Sequence, residues 1–130
     1  MTYELSKQFR FDAAHTLERH IETDASRRIH GHSYRAEVTL RGEPDPVSGM
    51  LIDLGALEQE LAKVRERLDH HLLDGVAGLG PATLENLCAW IWRSLAPDLP
   101  GLARVAIYRE STGDTCAYFG PEPDGPLRAD

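Results

Sequence analysis

A chain of 130 residues with 42% hydrophobic side chains is long enough for one domain that buries roughly two thirds of the surface its unfolded form exposes, so folding needs no staples. Its 21 acidic residues against 14 basic ones leave a formal net charge of −7, which argues against a nucleic-acid partner, since phosphate backbone is held by surplus Lys and Arg. The two cysteines, Cys88 and Cys116, form no Cys-X-X-Cys pair, and neither an apolar h-region nor an apolar run of membrane-spanning length occurs, so the expectation is a cytoplasmic protein without membrane contact.

Residues 2–14 alternate, with Tyr3, Leu5, Phe9, Phe11 and Ala13 on one side, which predicts a half-buried strand whose apolar side continues into His15. Residues 16–29 show no clean period and read as a loop, and a loop of that length within a compact domain is more often functional than idle. From His32 to Leu40 the even positions Tyr34, Ala36, Val38 and Leu40 are apolar, a second strand. After a Pro/Gly turn, Asp53 is placed to cap a helix whose stripe is Leu54, Leu57, Leu61, Val64 and Leu68. That helix runs out into Asp69-His70-His71.

Residues 75–82 read as a Gly/Pro loop, and Thr83 caps a second helix with the stripe Leu84, Leu87, Cys88, Ile91 and Leu95. Cys88 lies within that stripe and is expected in the core. Ala103–Glu110 alternates as a third strand ending in a carboxylate, Ser111–Asp114 is a turn, and Thr115–Phe119 returns as a fourth strand. The tail, 121–130, carries three prolines and little that is apolar, and is expected to be loosely ordered beyond a domain spanning 1–120. The resulting ββααββ order predicts an α+β fold: a four-stranded antiparallel sheet with two helices on one face. Its outer strands show no strong edge protection, which favours pairing with neighbouring subunits.

In an extended strand, alternate side chains share a face, so His30 and His32 project together across the side-chain-free Gly31. With His15 they make three imidazoles, the donor set of a catalytic zinc site with one position open; Fe, Ni or Cu suits the same nitrogens, and His-X-His also occurs on strand edges by chance. Arg27 and Arg28 beside them either attract an anionic substrate or are two solvated loop arginines. Asp69 and His70 are chemistry-capable, although a histidine at a helix C-terminus also serves as a favourable charge on the dipole.

Several of these segments, taken in order, resemble the 6-pyruvoyl-tetrahydropterin synthases and the similar bacterial 6-carboxytetrahydropterin synthases. They are Phe11-Asp12-Ala13-Ala14-His15, His30-Gly31-His32, Leu68-Asp69-His70-His71-X-Leu73, Ala82-Thr83-Leu84-Glu85 ahead of Trp90-Ile91-Trp92, and Glu110 closing a strand. The resemblance covers about residues 3 to 120 and implies a tunnelling fold, in which the sheets of several subunits join into a barrel, typically a hexamer of two trimers with active sites between subunits. It implies zinc on His15, His30 and His32. It implies that Glu110 anchors the pterin ring, a carboxylate accepting two parallel N–H bonds from a 2-amino-pyrimidinone edge. Thr83 and Glu85 match pterin-pocket positions, with an N-cap role explaining Thr83 equally well, and Asp69 with His70 matches an Asp-His proton-transfer pair.

One position departs from the family pattern. Where the family carries its catalytic cysteine, four residues before His30, this chain has Ser26. A thiol with a reference pKa of about 8.5 is partly ionised near neutrality, whereas a serine hydroxyl stays protonated unless a base or metal activates it. The nearby carboxylates are Glu22 and Asp24. The expectation is therefore a zinc-dependent lyase acting on the C6 side chain of a reduced pterin by an altered elimination or retro-aldol route. The alternatives are a non-catalytic, zinc-stabilised pterin-binding oligomer and a generic metallohydrolase, the latter leaving Glu110 and Asp69 without roles.

Overall fold

The computed structural model describes residues 2–21 and 23–122. In chain order the elements are β1 (Tyr3–His15), a short α1 (Thr23–Arg27), β2 (His30–Gly42), α2 (Leu54–Leu68), α3 (Leu84–Leu95), β3 (Leu102–Arg109) and β4 (Asp114–Tyr118). The four strands form one antiparallel sheet in the order β1-β2-β3-β4. This is the ββααββ sheet expected from the alternation and helical stripes. No described helix is long and apolar enough to cross a membrane.

Period-two alternation divides the sheet into two unlike faces. Phe11, Ala13, Tyr34, Ala36, Val38, Leu40, Val105 and Ile107 are buried on one face, against Leu57, Leu61, Val64 and Leu68 of α2 and Leu87, Cys88, Ile91 and Leu95 of α3. Burying each large aliphatic side chain contributes about 1.5–3 kcal/mol, so this layer fixes which face of every strand turns inward. Both caps form as the sequence indicates: Asp53 accepts from the Gly55 N–H at 2.7 Å and Thr83 from the Asn86 N–H at 3.1 Å.

The other face is polar and laced across the strands. Ser6 meets Thr39 at 2.7 Å, Gln8 donates to Glu37 at 3.1 Å and Arg104 to Glu37 at 2.8 Å. Arg10 and Arg35 are register partners on this face, a like-charge pair that would repel, and Glu110 stands between them.

Four expectations need correction. The connection 16–29 is not all loop: Thr23 accepts a place in a turn of helix through Thr23–Arg27, too short to leave a periodic apolar stripe. Strand β2 runs longer than the alternation showed, from His30 itself to Gly42, because pairing with β1 extends past the last apolar residue. Strand β3 ends at Arg109, leaving Glu110 just outside it. The outer edge of β1 is also partly covered: His70 N–H donates to the Asp12 carbonyl at 2.6 Å and Ala14 N–H to the His71 carbonyl at 3.1 Å, so the segment after α2 lies along it. Most of the 121–130 tail and Glu22 lie outside the described residues.

Candidate metal centre and adjoining clefts

Strand register brings the three histidines together. His15 is paired directly with His30 and Ala13 with His32, so three same-face positions hold imidazoles and the fourth holds a methyl group that leaves room for them. Ring centroids are 4.5 Å apart for His15 and His30, and 5.0 Å apart for each of the other two pairs. One nitrogen from each residue lies within 4.8 Å of the others.

Backbone carbonyls orient two of these rings. His15 Nδ1 is 2.9 Å from the Ala82 carbonyl oxygen, and His30 Nδ1 is 2.8 Å from that of Arg28. A carbonyl only accepts, so each Nδ1 carries the proton and each neutral ring keeps its lone pair on Nε2. His15 Nε2 is buried and has no hydrogen-bond partner. A buried polar atom left bare is costly unless something occupies it, and a ring oriented through its other nitrogen is the usual outer support of a metal ligand.

Local charge favours the ligand state too. Burial, followed by the positive charge of Arg109 and the neighbouring imidazoles, pushes His32 down to about 4. Burial likewise lowers His15, against the opposing Ala82 hydrogen bond. Both rings are thus neutral near pH 7, as metal ligation requires. Three imidazoles gathered at one cleft fit a divalent transition-metal ion.

The cluster forms the floor of a cleft of about 1070 Å³. Ser26, Thr83 and Glu85 line it with the histidines, as do Arg28 and Arg109. Ser26 is buried, and its hydroxyl donates to the Thr23 carbonyl at 3.1 Å within α1. Thr83 serves as the α3 cap, so its presence at the wall has a structural cause already.

Asp69 and His70 are elsewhere. They adjoin a second, shallower cleft lined by Asp12, Gly31, His32, Ser33, His70 and His71, with His32 common to both clefts. Asp69 accepts the Asp12 N–H at 2.9 Å, pairs with Arg65 at 3.0 Å and faces His70 Nδ1 at 3.0 Å. The Asp12 N–H, more than any charge, holds its carboxyl below the usual range. His70 has φ 59, a left-handed conformation uncommon outside glycine, with its ring exposed. His71 is solvent-facing and bonds back to the Asp69 carbonyl at 2.8 Å.

Glu110 lies on the polar face of the sheet and lines neither of these clefts. Arg35 donates to it at 2.6 Å, and that bond first, then the charge, holds its carboxyl below the usual range. The expected site residues therefore fall in three places: the histidine cleft, the His70 cleft and the Arg35–Glu110 pair.

Sequence reading missed the far wall of the main cleft. Arg109 donates to Thr112 at 3.1 Å and to Asp114 at 2.6 Å, and all three line it together with Cys116. A signal existed: Arg109 shares strand parity with Val105 and Ile107, so a cation stands where the pattern demands an inward side chain.

The family profile of 6-pyruvoyl tetrahydropterin synthase matches residues 4–121. The chain belongs to the 6-pyruvoyl tetrahydropterin synthase family. It is 35% identical over 121 residues to the 6-carboxy-5,6,7,8-tetrahydropterin synthase of Synechocystis sp., covering 88% of this chain and 92% of that protein. It is 34% identical over 100 residues to the 6-pyruvoyl tetrahydrobiopterin synthase of Drosophila melanogaster, covering 72% of this chain and 60% of that one. The 6-pyruvoyl tetrahydropterin synthase structure from Caenorhabditis elegans superposes with a TM-score of 0.78 at 29% identity, covering 92% of this chain and 96% of that one. Membership in this synthase family, with its tunnelling fold, bears out the resemblance carried by the histidine, Asp-His and Thr83–Glu85 segments.

Proposed function

We propose that the protein is a zinc-dependent lyase acting on the C6 side chain of a reduced pterin, a dihydroneopterin or its triphosphate, by proton abstraction with elimination or retro-aldol cleavage. The observation that carries this reading is the convergence of His15, His30 and His32, with His15 Nε2 buried and bare. The names of the relatives supply the substrate class.

In this reading His15, His30 and His32 hold zinc, which when bound supplies Lewis acidity toward the side-chain hydroxyls and makes the neighbouring C–H bonds easier to ionise. Glu110 takes the 2-amino-pyrimidinone edge of the ring, Thr83 and Glu85 border the pocket, and His70, oriented through Nδ1 by Asp69, moves the proton at Nε2. Ser26 occupies the thiol's usual position, and a serine hydroxyl stays protonated near neutrality where a thiol is partly ionised, so this reading makes His70 the main proton carrier.

The scattering of these groups over three places supports a site completed by assembly. The edge of β4 and the uncovered part of the β1 edge would join sheets of neighbouring subunits into a barrel, a hexamer of two trimers, in a cytoplasmic enzyme without nucleic-acid or membrane partners. Turnover of dihydroneopterin, its triphosphate and sepiapterin by wild type, His70→Ala and Ser26→Cys tests the reading. Loss of turnover in His70→Ala supports it; equal turnover by both removes His70 from the mechanism.

The buried, helix-bonded Ser26 hydroxyl also favours a second reading, a zinc-stabilised pterin-binding oligomer without catalysis. In that case wild type binds pterin without converting it, and Ser26→Cys creates triphosphate elimination where wild type has none.

A further inference from the structure

The polar face of the sheet holds a chain of side chains behind Glu110 to which the reaction outlined above gives no role. Arg35 lies over Tyr108, its Cζ 3.9 Å from the ring centroid, and its Nε donates to Glu110 Oε1 at 2.6 Å. The Tyr108 hydroxyl in turn donates to Glu37 Oε1 at 3.2 Å, and Glu37 is held by Arg104 and Gln8. Arg35 is mostly covered, its side chain 20% exposed, while Glu110 is 56% exposed. An arginine clamped on an aromatic face and covered by neighbours has few rotamers left, so the carboxylate it grips inherits a fixed plane.

The contacts on that carboxylate are unequal. Both Arg35 and the more distant Arg10, at 3.6 Å, meet Oε1. No described contact engages Oε2, so the carboxylate keeps acceptor capacity for the N–H donors of a ligand edge while the guanidinium stays in place. Arg10 alone could not impose it: its side chain is 71% exposed and stacked on nothing among the described contacts.

We propose that Arg35, braced on Tyr108, is the positioning residue that orients Glu110 for ring recognition. This rests on the reading of Glu110 as the pterin anchor and adds the group that makes the anchor directional. The alternative is purely structural: Glu110 neutralises the Arg10–Arg35 like-charge pair and recognises nothing.

Fluorescence titration of sepiapterin onto zinc-loaded wild type, Arg35→Met, Arg35→Lys, Tyr108→Leu and Glu110→Gln, between pH 4 and 8, separates these. Arg35→Met should weaken binding about tenfold at pH 7, the loss of one charge-assisted support. It should also move the acid limb of binding to higher pH, because the carboxylate loses the donor that depresses its proton affinity. Arg35→Lys should restore the limb but not the full affinity, since a point charge lacks the planar fork, and Tyr108→Leu should weaken binding in the same direction. Zinc content should stay at the wild-type level in all of them. If Glu110→Gln loses binding while Arg35→Met matches wild type at every pH, the positioning role is overturned and the anchor stands. If Glu110→Gln binds as wild type, the anchor reading falls and this role with it.

Discussion

His15 Nδ1 lies 2.9 Å from the carbonyl oxygen of Ala82, the residue immediately before the Thr83 cap of α3. The start of that helix therefore sets the tilt of the His15 ring on β1, and helix packing and the geometry of the histidine cluster become parts of one arrangement.

A first consequence concerns acid. His32 is pushed down to about 4 in the folded, metal-free protein and His15 is lowered as well, whereas the same groups unfolded titrate near 6.5. Below about pH 6.5 the unfolded chain binds more protons than the folded one, so folding stability should fall as pH drops from there toward 4. Urea midpoints of the metal-free protein across this range should decline, and the decline between 6.5 and 4 should shrink in His32→Gln.

His70 carries backbone strain that its side chain does not need for folding. At φ 59, His70→Gly removes a cost of about 1 kcal/mol for a non-glycine left-handed residue, partly offset by the greater freedom of glycine in the unfolded chain. The variant should be as stable as wild type or slightly more so in chemical denaturation, while turnover falls at least a hundredfold, the scale of a lost general acid or base. A strongly destabilised His70→Gly would show that the imidazole supports the fold.

Thr83 can be divided between its two roles. Thr83→Ala should cost about 1 kcal/mol in urea unfolding through the lost bond to the Asn86 N–H, and Thr83→Ser should keep most of it. Pterin affinity that follows the cap, unchanged in Thr83→Ser, would confine Thr83 to helix support.

Gly31 separates His30 and His32, yet a methyl group there meets only the Ala13 carbonyl oxygen at 3.6 Å, an ordinary contact. Gly31→Ala should fold and retain its metal, as circular dichroism and metal analysis would report. A loss of metal would mean that the backbone between the two ligands bends more than an alanine allows.

The readable part of the molecule follows from short-range pattern. Period two placed Phe11, Tyr34, Ala36 and Val38 inward, and with them the parity of His15, His30 and His32, so the candidate metal-binding set was visible before any pairing was known. The helices were equally plain, since Asp53 and Thr83 stand at the head of regular stripes. What stayed hidden depends on which strands become neighbours. Arg35 meets Glu110 only because β3 lies against β2, and Arg109 joins the histidine cleft from the same distance along the chain. The helix at Thr23–Arg27 was hidden for another reason: one turn of chain with a single buried residue, Ser26, makes no periodic signal.

The central claim is that His15, His30 and His32 jointly hold one divalent metal ion. Elemental analysis after zinc reconstitution and dialysis tests it most directly, run on wild type and on His32→Ala with folding checked by circular dichroism. The account predicts about one zinc per wild-type chain and, in a folded His32→Ala, an affinity at least about a hundredfold weaker. Wild-type protein that stays metal-free, or a His32→Ala that binds zinc as tightly as wild type, would contradict it.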